Sequence, residues 1–288
     1  MRIERVPGWP APGVSGIVWL GQAGFWIETG TARVLIDPYL SDSLARKYAG
    51  QVNDHRRMMP PPILPQDLPR PDVVLITHAH TDHMDPDTLA PLAARFPDCP
   101  FVVPAACQKV ALGRIGALAP VVPADAGQVI KAAPGVTVHV LPAAHETLEK
   151  EAQGQHMFLG YGILSNGLRL YHSGDCIPFD GLNPLLRSFR PDIALLPVNG
   201  RDPARLAAGI PGNFTLGEAI DLARLAGASV LIPHHFGMFT FNTCDPAAID
   251  RAAADEQALT ILRPVAGQTL RIMAEGSDGD GAGAHNGR

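Results

Sequence analysis

The chain has 288 residues, 46% of them hydrophobic and 18% charged, a globular balance with ample material for a core. Its 23 basic side chains against 28 acidic ones give a net charge of −5, and no Lys/Arg run exceeds two residues, which argues against the basic stripe of a nucleic-acid binder. There is no apolar stretch of about 18 residues to span a membrane and no apolar h-region at the start. The cysteines (Cys99, Cys107, Cys176, Cys244) form no close pair, so a reduced, cytoplasmic setting is expected.

In chain order, the first part reads as β-rich. Gly16–Leu20, Gly24–Glu28 and Arg33–Asp37 are short apolar runs separated by the turn signals Gly21-Gln22-Ala23-Gly24 and Thr29-Gly30-Thr31. A polar, proline-bearing segment from about Pro38 to Pro71 follows, long enough to be functional or mobile. Asp72–Thr77 reads as a buried strand, and Asp85-Pro86 as the N-cap and first residue of a helix through about Phe96. Phe101–Val103 is a short strand and Ala105–Leu112 a short helix. Strands are expected at Val136–Leu141, Phe158–Leu164 and Leu168–His172, with Ser165-Asn166-Gly167 as a hairpin turn. Then come strand Ile193–Leu196, a helix from Thr215 to Leu225, strand Ser229–Ile232, helix Pro246–Glu256 and a last strand near Thr269–Ile272. No repeat or linker divides the chain, so residues 1–274 read as one domain and the Gly/Asp-rich 275–288 as a disordered tail.

The chemistry concentrates at Thr77-His78-Ala79-His80-Thr81-Asp82-His83-Met84-Asp85, directly after the apolar run Val73–Ile76. Polar groups crowded at the end of a buried strand cost a few kcal/mol each unless something satisfies them, and a divalent metal does so for all of them at once. His78 and His80, two apart, can point the same way, while Asp82 and His83 follow a turn and can face a second ion. Three later strands each deliver one further donor at the C-terminal end: His145, Asp175 and His235. His139 and His156 compete with His145, but His139 belongs within a strand.

This set resembles the metallo-β-lactamase superfamily of hydrolases: HxHxDH as His78/His80/Asp82/His83, a later His145, Ser173-Gly174-Asp175, and a terminal His235. The resemblance covers roughly residues 15–273 and implies a four-layer αβ/βα sandwich with a dinuclear site at the sheet edges. On that carry-over His78, His80 and His145 hold one ion, Asp82, His83 and His235 the other, and Asp175 bridges. Within the superfamily the chain looks most like the ascorbate-6-phosphate lactonases and related hydrolases, through Trp19-Leu20-Gly21-Gln22-Ala23-Gly24-Phe25, Asp85, Tyr171–Asp175 and Ile232–His235. Asn213-Phe214-Thr215 resembles a motif of those related hydrolases. Gln22 stands where related groups often place a histidine. An N-acyl phospholipid phosphodiesterase branch shares the DHxD ending.

Two divalent ions, zinc, manganese or iron, suit a donor set of imidazoles and carboxylates without thiolate. The implied step is attack of a metal-held hydroxide on a carbonyl or phosphoryl centre, with lactone or ester hydrolysis of a small substrate, a phosphorylated one among the candidates, as the leading reading. A phosphodiesterase and a non-catalytic metal-binding sensor are the alternatives. Asp82 and His234 are the catalytic candidates, and His234 reads equally as a core histidine. Asp85 reads as an N-cap or as a partner to a ligating imidazole, and Asp37 as a buried orienting carboxylate. His55, Arg56 and Arg57 are either a solvated loop face or an anion-recognising part of a lid, with Arg201 and Arg205 similar. A small-molecule substrate is expected, without nucleic acid or membrane, and a homo-oligomer is allowed.

Overall fold

The computed structural model describes residues 1–273; the 275–288 tail expected above lies outside them. In the first half the strands are β1 (Arg2–Pro7), β2 (Gly16–Gly21), β3 (Gly24–Glu28), β4 (Arg33–Ile36), β5 (Val73–Leu75), β6 (Phe101–Pro104) and β7 (Val121–Ala124). The second half adds β8 (Val129–Ala133), β9 (Val136–Pro142), β10 (Leu159–Ser165), β11 (Leu168–His172), β12 (Ile193–Pro197), β13 (Val230–His234), β14 (Thr260–Ile261) and β15 (Gln268–Met273). They form an eight-stranded sheet in the order β1-β15-β2-β3-β4-β5-β6-β7 and a seven-stranded sheet in the order β14-β13-β12-β11-β10-β9-β8. The helices are α1 (Ser43–Lys47), α2 (Pro86–Arg95), α3 (Gln108–Ile115), α4 (Leu182–Phe189), α5 (Pro203–Ala207), α6 (Leu216–Ala226) and α7 (Pro246–Asp255).

The layering follows from the period of two in the strands. In the first sheet Ile17, Trp19, Phe25, Ile27, Val34, Ile36, Val73 and Leu75 face inward and join Val138, Val140, Tyr161, Ile163, Leu170 and Leu195 of the second sheet in one core. The alternate residues Val18, Leu20, Trp26, Leu35, Val74 and Ile76 face outward under Leu89 and Leu92 of α2 and Ala111 and Ile115 of α3. Strands covered on both faces read as continuous apolar runs, which is why β2–β5 are legible in the sequence. On the far side Ala219, Leu222, Ala223 and Ala226 of α6 pack on the second sheet. The result is the expected α/β four-layer sandwich.

Strand direction places the site. β4, β5 and β6 run parallel, as do β11, β12 and β13, while β10 is antiparallel to both β9 and β11. The C-terminal ends of β5, β9, β11 and β13 therefore come to one edge of the sandwich, where parallel-strand architectures build their sites. The two sheets are tied there by Leu159 N–H donating to Thr77 O at 3.0 Å and the buried Tyr161 hydroxyl donating to Ile76 O at 2.7 Å. Asp85 caps α2 ahead of Pro86, and Thr215 with Glu218 forms a capping box at α6.

Seven elements lie outside the sequence expectations: β1, β7, β8, β14, α1, α4 and α5. β1 is a half-exposed edge strand rich in charge, and β7 and α5 carry prolines, so these lack the apolar periodicity that marks the central elements. α4 is amphipathic, with Leu182 and Leu186 buried, but is only eight residues long and carries Pro184. Replacing Tyr161 with Phe leaves Ile76 O buried without its donor. A loss of about 1–3 kcal/mol is expected, read as a lower denaturant midpoint at unchanged m value.

Candidate metal centre

The chain leaves β5 and turns at once. Ile76 and Thr77 are still buried, and the next residues carry His78, His80, Asp82 and His83 around a tight turn closed by Met84 N–H donating to His80 O at 2.8 Å. Arg114 of α3 locks this turn from outside, its Nη1 donating to Ala79 O at 2.6 Å and to Met84 O at 3.0 Å.

The predicted ligands converge. Donor atoms of His78, His80 and His145 lie within 4.8 Å of one another; so do those of Asp82, His83 and His235, and those of His78, His83 and Asp175. Asp175 sits between the two triads. Its Oδ1 is 3.3 Å from His83 Nε2, and its Oδ2 is 3.2 Å from His235 Nε2 and 3.7 Å from His145 Nε2. Neither competitor of His145 reaches the cluster: His139 packs on Phe189 and His156 bonds Asp125 at 2.8 Å.

Residues behind the ligands set which ring nitrogen each imidazole presents. Asp37, fully buried, accepts from Thr77 N–H at 2.8 Å, from the Thr77 hydroxyl at 2.6 Å and from His83 Nδ1–H at 2.7 Å. Since the Thr77 hydroxyl donates to Asp37, its oxygen accepts from His78 Nδ1–H at 3.0 Å. His145 Nδ1–H donates to Gly212 O at 3.0 Å. All three rings thereby carry the proton on Nδ1 and turn Nε2 into the site, the arrangement a metal-ligating histidine needs. His78 Nε2, His83 Nε2 and Asp175 Oδ1 are buried and make no hydrogen bond. Such atoms are costly without a partner, so this donor set fits a divalent cation.

Charge follows the same geometry. Burial lowers the His83 pKa, but Asp175, Asp37 and Asp82 outweigh it and hold the ring well above the ordinary value. Burial raises Asp175, yet His235 and His83 bring it well below the usual carboxylate range. Burial pushes His145 down to about 4, and burial and the neighbouring imidazoles keep His78 neutral as well.

Gln22 is the site residue the sequence flagged without placing. Its Nε2 donates to Asp82 Oδ2 at 2.8 Å and lies 3.0 Å from His235 Nε2, while its backbone carbonyl accepts from His235 N–H at 2.9 Å. Gln22, Asp37, Glu146 and His235 all have positive φ, four of the six non-glycine residues that do so among the described residues. Each such residue costs on the order of 1–3 kcal/mol, and strain gathered at one edge marks a functional site.

Several candidates are corrected. His234 does not join His235: its ring is fully buried, stacked on His172 at 4.8 Å and edge-on to Phe25, with neither ring nitrogen hydrogen-bonded, and it lies behind the ligands rather than in the pocket lining. The His55–Arg57 triplet divides. Arg57 is turned into the protein, its Nη1 donating to Tyr39 O at 3.0 Å and Ser41 O at 3.2 Å and its Nε to Met59 O at 3.1 Å. Arg56 is exposed and pairs with Asp54 at 2.7 Å. Only His55 lines the pocket over the site. Arg201 is spent on Glu218, and Arg205 on Asp202 and Asn242. Asp85 accepts from Ser43 and Thr88 and touches no imidazole, so it is a cap. Burial pushes the Cys176 thiol up to about 12, leaving it inert.

A family model, described as a beta-lactamase superfamily domain, matches residues 32–236. A metal-dependent hydrolase of the UPF0173 group from Methanoculleus marisnigri is 30% identical over 228 residues, covering 77% of this chain and 81% of the relative. Igni18, a metallo hydrolase from Ignicoccus hospitalis, superposes with a TM-score of 0.67 at 22% identity over 91% of this chain and all of the other (100%). The metallo-beta-lactamase fold protein YhfI from Bacillus subtilis gives 0.63 at 16% identity, covering 89% and 99%. The chain belongs to the beta-lactamase superfamily, among the UPF0173 metal-dependent hydrolases. No helix among the described residues is long and apolar enough to cross a membrane.

With its pKa raised, His83 holds its second ring proton more firmly than a free imidazole does, and a ligand must shed it. Metal capture should therefore release protons at pH 7, and affinity should rise with pH. Calorimetric titration with zinc in two buffers of different ionisation enthalpy measures this; a release of zero at pH 7 contradicts the assignment.

Proposed function

We propose that this chain is a hydrolase that holds two divalent ions, zinc, manganese or iron, and opens a lactone or cleaves a related ester of a small molecule. The observation that carries the reading is Asp175, a single buried carboxylate with one oxygen on His83 and the other on His145 and His235. His78, His80 and His145 would hold one ion, Asp82, His83 and His235 the other, with Asp175 reaching both. Bound there, the ions supply an acidified water as nucleophile and positive charge for the oxyanion that develops.

The chain's own groups do the rest. Asp82 is partly open to the pocket, and its burial is outweighed by His83 and His235, which keep it ionised. Held by Gln22, it is the carboxylate able to take a proton from the nucleophile and pass it to the leaving oxygen. Asn242 lines the pocket, and its Oδ1 accepts from Asn199 at 2.7 Å and Arg205 at 2.9 Å. That fixes the amide so that its Nδ2 remains a donor for a substrate carbonyl. Asn213 supports the arrangement by donating to Asn199 Oδ1 at 3.0 Å, which gives the Asn213-Phe214-Thr215 motif a positioning role. The cavity, about 290 Å³, is at the small end of ligand sites and suits a small substrate. Arg56 and Arg57 do not face the site, so any phosphate on the substrate would meet His55, Lys47 and Arg114 instead.

Chelated protein should be inactive on a panel of simple lactones and aryl esters and regain turnover with zinc or manganese. His80→Ala and Asp175→Ala should each lower kcat/KM by about 100-fold or more. Full turnover in either variant contradicts the mechanism, and faster hydrolysis of bis-p-nitrophenyl phosphate than of any ester makes the enzyme a phosphodiesterase instead.

A further inference from the structure

One side of the pocket is aromatic, and no single segment of the chain supplies it. Tyr48 caps α1, His55 lies in the proline-bearing segment, and Phe239 and Phe241 follow β13. The rings are packed on one another. Tyr48 and His55 stack with centroids 4.3 Å apart, His55 meets Phe239 edge-on at 5.0 Å and Phe241 at 4.7 Å, and Phe239 and Phe241 stack at 5.8 Å. Phe239 is buried beneath, while Tyr48, His55 and Phe241 remain half-exposed, and all four line the same cavity as His80, Asp82 and Asp175.

The wall carries little charge to attract an anion. His55 Nδ1 is engaged with Asn53 O at 2.7 Å, and its burial keeps the ring neutral at pH 7. The cations lining the cavity are Lys47, whose Nζ sits 4.9 Å over the Tyr48 ring, and Arg114, whose Nη1 is occupied by two backbone carbonyls. Half-exposed ring faces opposite a cluster of metal-ligating donors favour a substrate with a flat apolar group beside its scissile bond. We propose that the Tyr48–His55–Phe241 wall selects esters or lactones bearing an aryl group, with the ring seated against the wall and the carbonyl toward the metal-ligating residues. This rests on the hydrolase reading above and names the substrate class for that site. Offset or edge-to-face ring contacts, together with the apolar area they cover, discriminate an aryl from a methyl group by about tenfold.

The test uses the metal-loaded full-length protein and two carboxylates as probes, benzoate and acetate, by calorimetric titration. Benzoate should bind about tenfold tighter than acetate. Phe241→Ala should collapse that ratio toward one, and Phe241→Leu, which keeps apolar bulk without a ring face, should leave it intermediate; thermal melting verifies that both variants fold. Equal affinity for the two probes in the wild type, or an unchanged ratio in both variants, overturns the proposal. A kinetic arm separates this claim from hydrolysis itself. Turnover of benzyl acetate and methyl acetate, whose leaving alcohols are equally acidic, with no aryl preference overturns the wall and leaves the hydrolase reading standing. A ring-dependent benzoate preference without turnover of any ester supports the wall and sinks the hydrolase reading.

Discussion

The site depends on one buried carboxylate behind it. Asp37 follows β4 in a left-handed conformation and is fully enclosed, so its carboxylate must be matched by donors or the fold loses several kcal/mol. The donors are the Thr77 backbone and hydroxyl and His83 Nδ1–H, all from the segment that leaves β5. Satisfying Asp37 therefore fixes the path of the chain into the histidine cluster. The same contacts set the tautomer of His83 directly and that of His78 through the Thr77 hydroxyl. A requirement of stability and a requirement of metal binding are met by the same three hydrogen bonds.

Other strained positions at the edge follow the same logic. His235 turns at positive φ immediately after β13, and its N–H is caught by the carbonyl of Gln22, itself at positive φ. That couples the β2–β3 turn of one sheet to the ligand delivered by the other. Gly174, between Ser173 and Asp175, leaves no room for a side chain: a Cβ there would stand 2.7 Å from Leu159 O. The sandwich core supplies the stability that lets these residues sit where chemistry needs them.

Much of this is legible in the sequence because ligands and strands share one signal, an apolar run that ends in a lone donor. β5, β9, β11 and β13 coincide with apolar runs, and His78, His83, His145, Asp175 and His235 all occupy the edge at which those runs end. Asp85-Pro86 is legible because capping is local chemistry. What the sequence hides depends on contacts between distant segments. Arg57 reads as a free cation beside Arg56 until the carbonyls of Tyr39, Ser41 and Met59 close around it. The aromatic wall draws on two stretches far apart in the chain, neither of which carries a pattern of its own, and the burial of His234 against Phe25 and His172 is a contact between different strands.

The central claim is that two donor triads joined by Asp175 hold one ion each. Elemental analysis of zinc-saturated protein, made on the wild type, His80→Ala and His235→Ala, tests it most directly. The account predicts two ions per chain in the wild type and one in each variant, with the surviving ion in the other triad. A single ion in the wild type, or two in both variants, would contradict it.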